Sequence, residues 1–349
     1  MNALPVMDPC RFRILRPLDR GGISRVFVAY DEELNREVAL KQLRRRYADR
    51  IRSRSRFLFE AEVTAGLEHP GVVPVYGMGQ FADRRTFFTM RLIRGETLRG
   101  AIKRAHSTGK PRGTSPELRT LLDRLVDVCY TVAYAHSRGI IHRDLTPGNI
   151  MLGAHGETLV IDWGLAKPIG RPSPLDEGDS AQEVPWPATA RTLPRTRVGH
   201  TSGTTWYMSP EQASGDSDRL GPATDVYTLG ATLYMVLTGQ APFDGPDEDE
   251  VQKLVQCGAL VAPRRINRKI APALEAICLK AMAMEPGDRY VSPLDLGDDI
   301  ACWLARRPLK ARPVTAAREW LVEPAIEGIA SFHERAAVPA RDGRSYPAG

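Results

Sequence analysis

A chain of 349 residues is too long for one small core and fits either one two-lobed domain or two ordinary domains. Its 42% hydrophobic and 26% charged residues exclude the disordered and fibrous classes and favour a folded, enzyme-sized protein. The formal net charge of +6 does not by itself identify a nucleic-acid partner.

Two further features of the whole chain indicate its compartment. No uninterrupted apolar run reaches the ~18 residues of a membrane helix, and the first ten residues lack a basic segment followed by an apolar one. We therefore predict a cytoplasmic protein without a membrane segment. The five cysteines are far apart, have no metal-ligand spacing, and are predicted to be reduced thiols: Cys10, Cys129, Cys257, Cys278 and Cys302.

The first predicted elements are strands. Residues 11–31 read RFRILRPLDRGGISRVFVAYD and alternate apolar with polar residues around a Gly-Gly tip, and EVALKQL follows at 37–43. This pattern predicts an antiparallel hairpin and a third strand.

An arginine cluster follows at 43–56, LRRRYADRIRSRSR, which is the type of segment that meets phosphates. Only Tyr47 and Phe57 are close enough in sequence to stack on bases, and no nucleic-acid module accompanies the cluster. We therefore predict a solvated connector and no nucleic-acid partner. The next segment, FLFEAEVTAGLE at 57–68, is predicted to be helical.

A long buried helix is predicted from Thr114. Thr114 and Glu117 have capping-box spacing, Pro116 lies in the first turn, and Gly139 marks the end. Apolar residues recur at helical spacing: Leu118, Leu122, Leu125, Cys129 and Val132.

The remaining elements divide the chain into a strand-rich front and a helix-rich back. Two short strands, NIML and TLVI, flank the turn GAHGE at 153–157, and three helical segments follow at 224–239, 271–283 and 292–305. This order predicts an α+β fold with two unequal lobes.

Two segments lack any helical or strand period. Residues 171–204 are rich in Pro, Ser, Thr and charge and are predicted to form a long flexible loop. The C-terminal tail, 311–349, is predicted to be mostly disordered with one short helix.

The polar residues between these elements suit phosphoryl transfer, which requires a lysine on the phosphates, divalent metal and a carboxylate that orients the incoming hydroxyl. Lys41 lies on the third strand and Glu60 on the next helix. Asp144 and Asn149 precede the short strands, and Asp162 follows them. A carboxylate and an amide oxygen are hard ligands for Mg²⁺, and a second carboxylate remains as the base.

The motifs VALK, HRDLTPGN, DWG, YMSPEQ, DVYTLG and DRY occur in this order. Together they resemble the eukaryotic-type Ser/Thr protein kinases of bacteria, from about Phe12 to Pro308. The resemblance implies a two-lobed protein-kinase-like fold with a small antiparallel β-rich N-lobe at 12–93. It also implies a larger, mainly helical C-lobe at 94–310 that contains an activation-segment loop at about 162–211.

The same resemblance implies a role for each site residue. Lys41 holds the α and β phosphates and pairs with Glu60, while Asp144 is the catalytic base, with Arg143 beside it. Asn149 and Asp162 are the metal ligands. The nucleotide contacts lie under the glycine loop, at the gatekeeper Met90 and along the hinge: Gly21, Gly22, Val26, Ala39, Met90, Arg91, Ile93 and Met151.

Further pairings follow from the family pattern. Asp225 anchors the catalytic loop, and Arg289 pairs with Glu211. Arg143 could bind a phosphate on the activation segment, where the candidate phosphorylation sites are Thr196, Thr201, Ser202, Thr204 and Thr205; the alternative is that this Ser/Thr-rich stretch is only a linker.

The chain departs from the family pattern in two places. In the glycine loop, DRGGIS, Asp19 and Ser24 stand where the first and third glycines are expected. Thr146 stands two residues past the base, where such kinases carry a lysine. By analogy with a deleted oxyanion donor, the missing cation costs about 3 kcal/mol, roughly a hundredfold in rate, so it slows transfer without abolishing it.

The implied function is transfer of the γ-phosphoryl group of ATP to Ser/Thr hydroxyls of proteins, including autophosphorylation, with Mg²⁺ or Mn²⁺ as cofactor. The protein substrate is not identified, and a dimer would serve autophosphorylation in trans. Two alternatives compare less well. A pseudokinase scaffold would explain Asp19, Ser24 and Thr146 together, but the metal and base residues are intact. A small-molecule kinase would lack the peptide-docking segment GTTWYMSPEQ, which this chain has.

Overall fold

The computed structural model describes residues 6–107, 109, 115–169 and 205–311. The predicted loop at 171–204 and the predicted tail beyond Ala311 lie outside these residues.

The front of the molecule is a six-stranded sheet with the order β1-β5-β6-β4-β3-β2, antiparallel except for the β1/β5 pair. It confirms the predicted hairpin and third strand, because β2 pairs with β3 and β3 with β4. The strands are β1 Val6–Met7, β2 Phe12–Arg20, β3 Ser24–Asp31, β4 Arg36–Leu43, β5 Val75–Gln80 and β6 Thr86–Arg91.

Two helices follow β4: α1 at Arg45–Ala48 and α2 at Ile51–Gly66. The arginine cluster is largely solvated, as predicted, but most of it is helical, and α2 begins six residues before the predicted start at Phe57. Burial of Phe57 and Phe59 fixes the later turns of α2 against the core, and the arginine-rich first turns extend from them.

The back of the molecule is helical. Its helices are α3 Leu98–Ser107, α4 Pro116–Ser137, α5 Pro210–Ala213, α6 Pro222–Thr238, α7 Glu248–Gln256, α8 Pro263–Ile266, α9 Pro272–Ala281 and α10 Pro293–Leu304. The predicted cap of α4 is wrong. Its N-cap is Ser115, whose hydroxyl accepts a hydrogen bond from the Leu118 amide, and Thr114 lies outside the described residues.

The core of this helical part is built around α4 and α6. All five apolar residues predicted to face the core along α4 are buried, and so is almost every side chain of α6. Gly230 brings α9 close to α6, because a Cβ there would lie 2.8 Å from the Cβ of Ala281. The described structure therefore has the predicted α+β, two-lobed architecture.

Five short strands position two loops side by side. They are β7 Gly95–Thr97, β8 Ile140–Ile141, β9 Ile150–Gly153, β10 Thr158–Val160 and β11 Lys167–Pro168. Antiparallel pairing of β8 with β11 and of β9 with β10 places residues 142–149 next to residues 161–166. Among the described helices, none combines the length and apolarity needed to cross a membrane.

Candidate active site

One face of the front sheet carries the residues predicted to surround the nucleotide. Val26 lies directly opposite Lys41, and Ala39 lies directly opposite Met90. Directly opposed residues of antiparallel strands share a face, and so do residues two apart in one strand. The register therefore brings these four side chains to the same side of the sheet.

Lys41 lies between two carboxylates. Its Nζ is 2.5 Å from Glu60 Oε1 and 3.5 Å from Asp162 Oδ1. Burial opposes the charge of the lysine, but the two carboxylates outweigh burial and raise the pKa of Lys41 above its ordinary value. The positive charge of Lys41 is also the main cause that lowers the pKa of Asp162. The site thus holds an ammonium group beside an ionised carboxylate.

Asp144 is fixed by Asn149 on one side and open on the other. The Asn149 side-chain amide donates to the Asp144 carbonyl at 2.8 Å and to Asp144 Oδ2 at 2.9 Å. Asp144 Oδ1 is buried and has no hydrogen-bond partner among the described residues. Burial, and secondarily the charge of Asp162, raises the pKa of Asp144 to about 8. A carboxylate oxygen is therefore left to accept a hydrogen bond from an incoming group.

The loop at residues 142–149, which carries Asp144 and Asn149, is anchored by Asp225 on α6. The Asp225 carboxylate accepts hydrogen bonds from the backbone amides of His142, at 2.8 Å, and Arg143, at 2.7 Å. His136 lies 2.7 Å from the same carboxylate, and the Gln212 side chain donates to the Arg143 carbonyl at 2.8 Å. Since Arg143 has φ +70°, these contacts hold a backbone conformation that is uncommon for a side-chain-bearing residue.

The kinase pattern that the sequence resembles has phenylalanine at the position of Trp163, which is completely buried with its ring centroid 4.5 Å from that of His142. The preceding Asp162 has φ +65°, and Arg56 Nε donates to the Gly164 carbonyl at 3.1 Å. These contacts tie α2, which carries Glu60, to the turn that carries Asp162. The larger aromatic ring is therefore accommodated inside the core.

The two predicted metal ligands offer oxygen atoms to the same cleft. The Asp162 side chain is 47% exposed, and the amide nitrogen of Asn149 is engaged by Asp144, which leaves Asn149 Oδ1 for a cation. Oxygen ligands and a small number of protein groups fit Mg²⁺ or Mn²⁺ bound together with phosphates. In the described part of the chain, no cluster of three His, Cys, Asp or Glu side chains offers a different metal site.

The glycine loop lies at the turn between β2 and β3. Asp19 is exposed and caps the Arg20 amide at 2.7 Å, whereas the Ser24 side chain is buried. The Gly22 carbonyl accepts a hydrogen bond from Arg44 at 3.1 Å, and a Cβ on Gly21 would lie 3.2 Å from Ser24 Oγ. The loop thus accommodates Asp19 and Ser24 at the two positions where the family pattern has glycine.

The predicted hinge residues begin at Arg91, the last residue of β6. The Arg91 side chain is exposed and pairs with Glu157. The backbone N–H of Arg91 donates a hydrogen bond to the Pro74 carbonyl at 3.0 Å. Ile93 is half-buried, as is Met151 on β9. The nucleotide roles of these residues stay predictions.

Sequence analysis missed two residues of this region. Arg56 was included in the solvated arginine cluster, although it contacts Gly164. Gln212 was quoted only as part of YMSPEQ, although it supports the Arg143 carbonyl. No spacing in the sequence marks either residue, because both contacts join segments far apart in the chain.

Of the hydroxyls predicted to be phosphorylated, only Thr205 lies within the described residues. Its side chain is buried, at 2% exposure, and its Oγ1 has no hydrogen-bond partner there. A kinase cannot reach a buried hydroxyl without local opening, so the structure favours a structural role for Thr205. Thr196, Thr201, Ser202 and Thr204 lie outside the described residues.

The Asp162→Ala variant tests the metal site. Removal of the exposed carboxylate takes away one of the two predicted protein oxygen ligands, so the affinity for Mg-ATP should fall by at least about tenfold. Titration calorimetry with ATP in Mg²⁺ and in EDTA measures this, with Asp249→Ala on the exposed face of α7 as control. Equal affinities in EDTA and Mg²⁺ for the wild type would count against the site.

Comparisons with known proteins agree with this geometry. The family model described as the protein kinase domain matches residues 12–292. The chain is 35% identical over 304 residues to the serine/threonine-protein kinase PknD of Chlamydia pneumoniae, covering 85% of this chain and 31% of that protein. PknD of Protochlamydia amoebophila is 34% identical over 316 residues, 88% of this chain and 31% of that protein. The chain spans about a third of the length of these curated relatives. It belongs to the protein kinase domain family.

Proposed function

We propose that this chain transfers the γ-phosphoryl group of ATP to serine and threonine hydroxyls of proteins, its own included. The observation that carries the proposal is the proximity of two clusters: Lys41 contacts Glu60 and Asp162, and Asp144, which Asn149 holds, lies close enough to Asp162 to feel its charge. The names of the relatives, serine/threonine-protein kinase, support a Ser/Thr acceptor.

Each residue has a task that its contacts support. The Lys41 ammonium, kept in place by Glu60, is positioned to hold phosphate oxygens. Asp144 Oδ1, which lacks a described partner, accepts the hydrogen bond of the acceptor hydroxyl and orients it for attack. Asn149 keeps the other oxygen of Asp144 occupied, so the carboxylate has one fixed orientation.

Asp162 and Asn149 would hold the divalent ion, and that ion supplies charge neutralisation for the phosphates. We propose Mg²⁺ or Mn²⁺, since both suit oxygen ligands. A cytoplasmic location, a dimer that autophosphorylates in trans and the absence of a nucleic-acid partner stay predictions from sequence.

The test is transfer of radiolabelled phosphate from ATP by the purified chain, in Mg²⁺ and in Mn²⁺, to itself and to a generic protein substrate. The wild type should incorporate label on Ser or Thr, and Asp144→Asn should reduce incorporation to background because an amide cannot accept the proton of the acceptor hydroxyl. Nucleotide binding without incorporation by the wild type would instead support the scaffold alternative.

A further inference from the structure

Arg99, the second residue of α3, reaches the catalytic loop. Its Nη2 lies 3.5 Å, and its Cζ 3.6 Å, from the point that a Cβ on Gly148 would occupy. Thr146 Oγ1 lies 3.6 Å from the same point. Because residue 148 has no side chain, this space beside the loop stays open. The guanidinium group of Arg99 and the hydroxyl of Thr146 therefore border the space beside Gly148, four residues past the proposed base, Asp144.

The charge of Arg99 has no counter-ion within the described residues. Its Nε is buried without a hydrogen-bond partner there, and the guanidinium forms no ion pair with any described carboxylate. The acid nearest to it in sequence, Glu96, is paired with Arg104 of the same helix. A half-buried guanidinium with unused donors is costly unless an anionic group meets it.

Electrostatic effects show which groups Arg99 faces. Burial is the main cause that raises the pKa of Asp144 to about 8 and that of Tyr207 to about 12, and the positive charge of Arg99 opposes both shifts. Tyr207 lies in the segment that resembles the peptide-docking segment. Arg99 is thus close both to the proposed base and to the segment that resembles a peptide-docking segment.

We propose that Arg99 is a specificity-determining residue that binds a carboxylate side chain of the protein substrate, close to the serine or threonine that is phosphorylated. The proposal rests on the proposed kinase function and names its substrate class, acidic peptides. Guanidinium groups bind carboxylates through paired N–H donors, and the Thr146 hydroxyl is placed to add a further hydrogen bond. Gly148 places no side chain beside the guanidinium group.

The experiment uses a set of synthetic peptides with one central serine, in which each flanking position carries Asp, Ala or Lys in turn. For at least one position, the wild type should phosphorylate the Asp peptide with kcat/KM about tenfold above the Lys peptide, mainly through KM. Arg99→Gln should remove this preference, and Arg99→Glu should reverse it towards Lys.

Arg104→Gln is the matched control, because Arg104 lies on the same helix but is exposed and paired with Glu96. This variant should keep the wild-type preference for Asp. An equal fall in kcat for the Asp, Ala and Lys peptides in Arg99→Gln would overturn the proposal, since Arg99 would then act on the transferred phosphate or on the loop itself.

Failure of this proposal differs from failure of the proposed function. Peptide phosphorylation without an acidic preference, or turnover limited to autophosphorylation, would overturn the role of Arg99 and leave the kinase function in place. Absence of phosphate transfer to any hydroxyl, autophosphorylation included, would remove both.

Discussion

Replacement of Arg289 by methionine should lower the free energy of unfolding by about 4 kcal/mol. Arg289 is buried, and its Nη1 and Nη2 lie 2.8 Å and 2.9 Å from the two carboxylate oxygens of Glu211. Its remaining donors bind the carbonyls of Ala223, Ala283 and Met284. The variant would leave a buried carboxylate with Thr224 as its one described side-chain donor, and three carbonyls would lose a donor.

Urea denaturation of the wild type and the variant measures this difference. Arg219→Ala serves as control, because the Arg219–Glu285 pair is as short, 2.6 Å, but exposed, and its loss should cost less than about 1 kcal/mol. A double variant, Arg289→Met with Glu211→Leu, should recover only part of the loss, because the unpaired carbonyls remain. Equal destabilisation in Arg219→Ala and Arg289→Met would show that the buried pair has no special contribution.

The pH dependence of the same difference follows from Glu211. Burial raises the pKa of Glu211, but the hydrogen bonds and charge of Arg289 outweigh burial and bring it below the ordinary value of 4.5. A lowered pKa contributes stability that is present above pH 4.5 and is lost as pH falls through the folded-state value. Without Arg289, burial alone would raise this pKa. The difference in free energy of unfolding between wild type and Arg289→Met should therefore become smaller as pH falls towards 4.

Sequence patterns predicted the elements whose apolar residues recur with a regular period. Apolar and polar residues alternate along the hairpin of β2 and β3, although β2 is exposed at every position after Phe12, and the apolar residues of α4 recur at helical spacing and are buried. The first turns of α2 carry arginine at every second position, IRSRSR at 51–56, and show no apolar helical face, which is why the predicted helix began too late. At the start of α4, Thr114 and Ser115 are both of a type that caps helices, and only the structure shows that Pro116 is the first helical residue, which makes Ser115 the N-cap.

The candidate site was predictable where motif order implied contact. The pairs Lys41–Glu60 and Glu211–Arg289 were both predicted, and the structure confirms both contacts. Arg56 and Arg99 were not recognised, because each is one arginine among many and its position near Asp144 arises from packing of α2 and α3 against the loops. Local spacing carries no information about such tertiary contacts.

Thr146 lies in the loop that holds the proposed base. Its amide donates to the Asp144 carbonyl at 3.0 Å, its carbonyl accepts from the Asn149 amide at 2.9 Å, and its side chain is buried. The backbone of Thr146 therefore links the base to a metal ligand whatever side chain it carries. Its hydroxyl can donate one hydrogen bond but adds no positive charge.

Thr146→Lys should raise kcat by up to about a hundredfold with little change in the dissociation constant of ATP. In the family pattern, the side chain at this position faces the transferred phosphate, whose negative charge must be stabilised while the bond breaks. A cation there acts mainly on the transition state, so it changes kcat more than nucleotide affinity. Steady-state kinetics with a peptide substrate, together with ATP titrations, separate the two quantities.

Packing and charge limit the gain, and the controls measure both. The side chain of residue 146 is buried, and a lysine that extends into the open space beside Gly148 would approach Arg99, which would repel it. Thr146→Arg tests the size of the cation, and Thr146→Ala tests the contribution of the hydroxyl. Combining Thr146→Lys with Arg99→Gln removes the repulsion and should give the larger gain in kcat on a neutral peptide. If the wild type shows no turnover above Asp144→Asn and Thr146→Lys restores none, the chain is not an active kinase, and the scaffold alternative replaces the proposed function.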